Sequence, residues 1–192
     1  MKTKWLSKEE TYDGTQLEPL RNYLSHGLLG NSIVAWVGPC QISFDHMVDG
    51  EDLREQAAIQ GDRMLHFVME IFDRDLFAGV ACQRVFASLA KDIIESRVRQ
   101  SKLGFILHRE GDDLYWEGRK LSISIATRSV NSILMHFAMN LTNKGTPVPT
   151  CALTDDFGLT AEDIAQNLLS SFAKEYLSIL EATWKVKTVG PL

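Results

Sequence analysis

The chain has 192 residues, a length that supports one compact domain with a full hydrophobic core. Hydrophobic residues make up 45% and charged residues 23%, an ordinary globular balance that excludes disordered and fibrous classes. A formal net charge of -5 gives no electrostatic basis for bulk nucleic-acid binding, although a local Lys or Arg pocket remains open to a single nucleotide.

Residues 1–30 mix charges with Gly14, and a helix is expected through Leu17 to Leu24, broken near Gly27 and Gly30. The amino terminus lacks the apolar core of a signal peptide and no later run is long enough to span a bilayer, so cytoplasmic residence without a membrane partner is expected. Ile33 to Val37 reads as a short strand closed by the turn pair Gly38-Pro39, with Cys40 to Phe44 as a second strand. From about Asp52 to Phe72, the positions Leu53, Ala57, Met64, Phe67, Val68 and Ile71 gather on one side at helical spacing and predict an amphipathic helix. A second helix is predicted over Ala81 to Arg97, where Val85, Leu89 and Ile93 recur every fourth residue.

The period then changes to alternation. Leu103, Phe105 and Leu107 begin it; Leu114 to Trp116 runs into the tight turn Glu117-Gly118; Arg119 to Thr127 returns with Leu121, Ile123 and Ile125 on one face. A following strand puts Ile133, Met135, Phe137, Met139 and Leu141 on one face and Leu134, His136, Ala138 and Asn140 on the other. Asn143 to Thr150, with Gly145, Pro147 and Pro149, reads as an extended loop. Thr160 is an N-cap opening a helix to about Ala182. The fold class is α+β, a mostly antiparallel sheet with helices on one face, in a single domain over 1–192.

Chemistry concentrates in Gly111-Asp112-Asp113-Leu114-Tyr115-Trp116-Glu117-Gly118-Arg119-Lys120-Leu121-Ser122, where acidic residues enter a hairpin and two cations leave its turn. Alternation puts Lys120, Ser122 and Ser124 on one face, and a meander would bring His136 and Asn140 beside them as a platform for a small polar ligand. A solvated surface turn would have the same composition.

This segment is similar, without a gap, to the motif of biotin and lipoate protein ligases that ends in Gly-Arg-Lys-Ile. The resemblance implies the catalytic fold shared with class II aminoacyl-tRNA synthetases and a lysine that contacts both the carboxylate being activated and the phosphate of the acyl-adenylate. By position Lys120 would be that lysine, Asp113 the motif aspartate, and Gly118 and Arg119 the turn that delivers the lysine. Asn140 or Asn143 would be the asparagine closing the next strand. A lysine between two anions offsets their repulsion as carboxylate and phosphate join. The glycine- and arginine-rich phosphate loop of those ligases has no counterpart here, since Gly38-Pro39-Cys40 lacks a backbone donor at the proline. Asp112 and Ile123 stand where the motif has Asn and Gly.

Over its whole length the sequence also resembles domain of unknown function family 366, through Gly38-Pro39-Cys40, His46-Met47-Val48-Asp49, Asp62 to Phe67, Gln83-Arg84, the hairpin, and His136 to Asn140. The leading expectation is a protein that binds a carboxylate-bearing small molecule or nucleotide and transfers the acyl group through an adenylate, with ATP as the candidate cofactor. The alternatives are a noncatalytic ligand-binding or dimeric scaffold protein, for which a homodimer is compatible, and a metal-dependent hydrolase using His46, His66 and His136.

Other groupings read as structural. Asp62, His66 and Glu70 at intervals of four have metal-ligand spacing on a helix, as does the His46, Asp45 and Asp49 cluster, but a solvated stripe explains them and no metal ligand is assigned. Cys40, Cys82 and Cys151 lie far apart without Cys-x-x-Cys spacing and read as reduced, buried thiols; Cys40 near His26 or His46 as a nucleophile is the lesser reading. Asp156-Phe157-Gly158 matches a kinase metal motif by chance, and Arg84 reads as an ion-pair partner.

Overall fold

The computed structural model describes residues 1–187, 189 and 190. A five-stranded sheet runs in the order β1 (Lys2–Trp5), β2 (Ser32–Ile42), β3 (Ile59–Phe72), β8 (Ser132–Asn140), β7 (Ser122–Arg128). Among the described strands of this sheet, β1 pairs with β2 in parallel and the other pairs are antiparallel. A three-stranded sheet holds β4 (His108–Glu110), β5 (Asp113–Trp116) and β6 (Arg119–Lys120). Two long helices, α3 (Leu76–Val98) and α4 (Ala161–Trp184), pack on one face of the larger sheet, as the α+β reading requires.

The helix-side core centres on Phe86 of α3, whose ring meets Phe67, Phe137 and Phe172 edge-on, each at a centroid distance of 5.1 Å. Such edge-to-face contacts bring the positive ring edge to the negative face of its neighbour. Asp75 caps α3 by accepting from Ala78 N at 2.8 Å, six residues before the expected start. Thr160 caps α4, as its position before the acidic Glu162 and Asp163 predicts. None of the described helices is long and apolar enough to cross a membrane.

The stretch expected as one helix from Asp52 to Phe72 is instead a single helical turn and a half, α2 (Gly50–Glu55), followed by the 14-residue strand β3. β3 lies in the middle of the sheet and is covered on both sides. Leu65, Phe67, Met69 and Ile71 enter the helix-side core, and Met64 and Val68 enter a second cluster with Tyr12, Val34 and Trp36. Burial of both faces removes the polar alternation that marks a strand.

The expected turn at Gly38-Pro39 is a bulge within continuous β2, between Gly38 and Cys40. Pro39 needs no ladder donor there, and its carbonyl accepts from Tyr12 N at 2.9 Å. The amino-terminal segment thereby straps the face opposite the helices, with Trp36 Nε1 donating to Glu10 O at 2.9 Å. The helix expected over Leu17 to Leu24 is α1 (Arg21–His26), ended by Gly27 in the left-handed region at φ 72°.

Leu103, Phe105 and Leu107 form no strand. Leu103 is exposed while Phe105 and Leu107 are buried, and Glu95 of α3 and Arg99 at its C-cap hold this turn through Leu107 N and Phe105 O. The expected strand from Arg119 to Thr127 is divided at Leu121, whose N–H donates to Leu114 O of the small sheet and whose carbonyl accepts from Asn140 N of the large one.

Candidate functional site

The β5–β6 hairpin turns on Glu117 and Gly118, both with positive φ (51° and 75°), the backbone signature of a two-residue primed turn. Its register pairs Tyr115 with Lys120. The Lys120 backbone is held from several sides: its N–H donates to Pro149 O at 3.1 Å, and its carbonyl accepts from Cys151 N at 3.1 Å and Asn140 Nδ2 at 3.2 Å. The side chain therefore leaves a fixed origin and enters a cleft of about 430 Å³ between the β7 edge, α2, the amino-terminal strap and the 146–150 loop.

Lys120 Nζ lies 2.8 Å from Asp113 Oδ2, and Tyr115 Oη donates to the same oxygen at 3.3 Å. Burial alone would lower the Lys120 pKa, but the Asp113 carboxylate outweighs it and the ammonium is held above its ordinary range. Burial raises the Asp113 carboxyl, with the lysine pulling against it. Next to this pair, Asp112 accepts from Gln83 Nε2 at 2.7 Å and from Arg84, the ion pair expected of that arginine.

Among the described residues Lys120 is the only Lys or Arg lining the cleft, against Asp49, Glu51, Asp52, Asp112 and Asp113. Asp49 caps α2 through Glu51 N and Asp52 N, so the connection between β2 and β3 presents carboxylates to the cleft. Burial and then the neighbouring Asp49 raise the Asp52 carboxyl.

The five residues placed on one face divide into two sets. Ile123 pairs with Ala138 and Ile125 with His136, so Ser122 and Ser124 point to the helix side, away from His136 and Asn140. Ser122 Oγ accepts from Leu114 N at 2.9 Å; Ser124 Oγ accepts from Gln83 Nε2 at 2.7 Å and donates to His136 O at 3.1 Å. Both serines still border the cleft because β7 is the sheet's edge. Lys120, His136 and Asn140 line it as well.

Gly118, Arg119 and Asn143 do not. Arg119 pairs with Asp156 at 2.9 Å and lies 4.6 Å from the Trp116 ring centroid, and Asn143 Nδ2 donates to Asp156 at 2.8 Å. These residues brace the hairpin against the loop before α4.

Beneath the cleft His66 and His136 share a hydrogen bond, Nδ1 to Nε2, at 3.1 Å, and His66 Nε2 lies 3.1 Å from Gly38 O. Tyr12 lies flat on His136 with centroids 3.6 Å apart and planes 6° apart. Burial pushes His66 down to about 4 and His136 well below its ordinary value. Tyr12 and the acidic α2 turn are absent from the sequence-based site, and no periodicity or spacing marks them.

The metal-ligand groupings are not brought together: among the described residues no three His, Cys, Asp or Glu side chains could hold an ion. On a strand, Asp62, His66 and Glu70 are successively about 13 Å apart. His46 sits on an exposed 3-10 turn near Ser43 Oγ at 3.4 Å. Cys40 is a buried thiol pushed up to about 12 by burial, which leaves it without nucleophilic character, and Cys82 is only half-buried.

A protein of unknown function from Pyrococcus horikoshi has the same fold at a TM-score of 0.90 and 29% identity, covering 98% of this chain and 99% of that one. A biotin protein ligase variant from Aquifex aeolicus in complex with biotin matches at a TM-score of 0.62 and 11% identity, over 94% of this chain and 72% of that one. Protein Ta0514 from T. acidophilum, assigned as a lipoate protein ligase and holding lipoic acid, matches at 0.57 and 14% identity, over 91% and 86%. The architecture is therefore that of the biotin and lipoate ligase catalytic fold. The model of the family described as a domain of unknown function, DUF366, matches residues 1–187, and the chain belongs to that family.

Proposed function

We propose that this protein binds a small carboxylic acid, or the adenylate of one, in the cleft, with Lys120 Nζ at the anionic group. The observation that carries this reading is the delivery of Lys120 from a clamped backbone into a cleft that has no other Lys or Arg among the described residues. An incoming carboxylate shares the ammonium with Asp113, which already lies at hydrogen-bond distance. The ligands of the two structural neighbours named above, biotin and lipoic acid, are both carboxylic acids, which supports the chemical class.

In the catalytic form of this reading, a carboxylate oxygen attacks the α-phosphate of ATP, the bond to the β-phosphate breaks, and pyrophosphate leaves. Lys120 would offset the repulsion between the two anions as they meet. The acyl group then passes to an acceptor with release of AMP. A second reading, noncatalytic binding, is favoured by one observation: the α2 turn offers carboxylates where a triphosphate needs donors.

Incubation with ATP, magnesium and a panel of carboxylic acids, followed by pyrophosphate assay, separates the two. Release that Lys120→Ala abolishes supports adenylation. Acid binding by calorimetry without release supports the binding protein, and acid binding that is indifferent to Lys120→Ala removes both.

A further inference from the structure

The floor of the cleft has a chemistry that Lys120 does not explain. Gly38 O has no proton to give, so His66 Nε2 donates across their 3.1 Å contact. A neutral His66 then carries its lone pair on Nδ1, and the 3.1 Å contact requires His136 Nε2 to be the donor. The proton of His136 is thus assigned to Nε2, and a neutral ring leaves Nδ1 as an acceptor.

The opposite polarity would need a doubly protonated His66 between Trp36 and Tyr12. Neither ring carries a countercharge, and burial opposes that charge in both imidazoles. Tyr12, parallel to His136 at 3.6 Å, closes one face of the ring. His136 is 1% exposed and lines the cleft, and its Nδ1 has no hydrogen-bond partner among the described residues. Ile42, Ile59, Met64, Ile123 and Ile125 give the cleft its apolar lining, and Ile125 pairs with His136 across the β7–β8 ladder.

We propose that this floor is an acceptor subsite: the ligand, beyond its carboxylate, has an apolar body and an uncharged N–H or O–H group that donates to His136 Nδ1. The proposal rests on the carboxylate reading above and adds the other end of the molecule. A second anionic group is selected against, because it would meet a lone pair and the carboxylates of Asp49, Glu51 and Asp52. A charged ammonium loses more hydration on reaching an apolar floor than a neutral donor does.

The test is calorimetric titration of the whole protein with the alkanoates from hexanoate to decanoate, each beside its ω-hydroxy acid, its ω-amino acid and its α,ω-diacid. At the best-fitting length the hydroxy acid is expected to bind roughly five- to ten-fold tighter than the parent acid, the scale of one hydrogen bond to a buried acceptor. The diacid is expected to bind more weakly than the parent, and the amino acid more weakly than the hydroxy acid. His136→Phe keeps a flat ring under Tyr12 and should bring the hydroxy-to-parent ratio to about one.

Equal binding of parent and hydroxy acids throughout the series, still lost in Lys120→Ala, overturns the acceptor subsite and leaves the carboxylate reading standing. Binding of no acid in the series, or binding unaffected by Lys120→Ala, overturns both. Heteronuclear NMR of the imidazole nitrogens in the unsubstituted protein gives a check that needs no variant to fold. A protonated His136 Nδ1 in the free protein would overturn the proposal; a bare one that moves on adding the hydroxy acid supports it.

Discussion

Lys120 Nζ stands 2.8 Å from Asp113 Oδ2, the two residues lying on adjacent strands of one hairpin. Both are partly buried, so neither is fully hydrated without the other. Lys120→Ala leaves Asp113 without its cation, and the loss in stability should be about 1 kcal/mol at neutral pH by urea denaturation. The Asp113 carboxyl, already raised by burial, should rise further in that variant, as carbon-detected NMR titration would reveal.

Phe86 is the hub of the helix-side core, with three aromatic rings edge-on at 5.1 Å. Phe86→Ala opens a cavity among side chains that rigid strands and α4 hold in place. A destabilisation of about 3 to 5 kcal/mol is expected from the chemical midpoint.

Gly38 lies against the amino-terminal strap: a Cβ there would fall 1.9 Å from Glu10 O. Gly38→Ala must push the strap outward, weakening the bond from Trp36 Nε1 to Glu10 O and loosening Tyr12 above His136. Stability should fall by about 1 to 3 kcal/mol, accompanied by a change in tryptophan fluorescence.

Acidification should destabilise the protein through its buried imidazoles. An unfolded His66 gains its proton near 6.5, whereas the folded one, pushed down by burial, does so only at about 4. Its contribution is complete above the unfolded value and is lost as pH falls between the two, amounting to roughly 3 kcal/mol. His136 acts in the same direction. Glu95 and Asp156, lowered by their hydrogen bonds against the opposing effect of burial, add a loss below that window, while Asp52 and Asp113 oppose it. Denaturation midpoints measured from neutral pH downward should decline before the ordinary carboxylates titrate, and a flat profile there would contradict the neutral pair.

The hairpin was legible because turn chemistry is local: Glu117-Gly118 between alternating strands specifies both the register and the exit of Lys120. The α4 cap was legible for the same reason. β3 was not, since burial on two faces makes a strand look like a buried helix. The shared face of Ser122, Ser124 and His136 failed through a slip of one residue at Leu121, where the chain changes sheets and the alternation restarts. Tyr12 reaches the cleft through a pairing with Cys40, 28 positions along the chain, and no local pattern encodes such a contact.

Leu121 has a mechanical consequence. Its N–H belongs to the small sheet and its carbonyl to the large one, so its backbone joins the two, beside the bonds from Leu114 N to Ser122 Oγ and from Asn140 Nδ2 to Lys120 O. The carbonyl of Lys120, one position earlier, is held by Asn140 Nδ2 and Cys151 N, so displacing the hairpin from the five-stranded sheet would have to break bonds at both residues. The origin of the lysine side chain is thus set by the same strand that carries His136 and Asn140, and a substitution that disturbs that strand would misplace the ammonium as well.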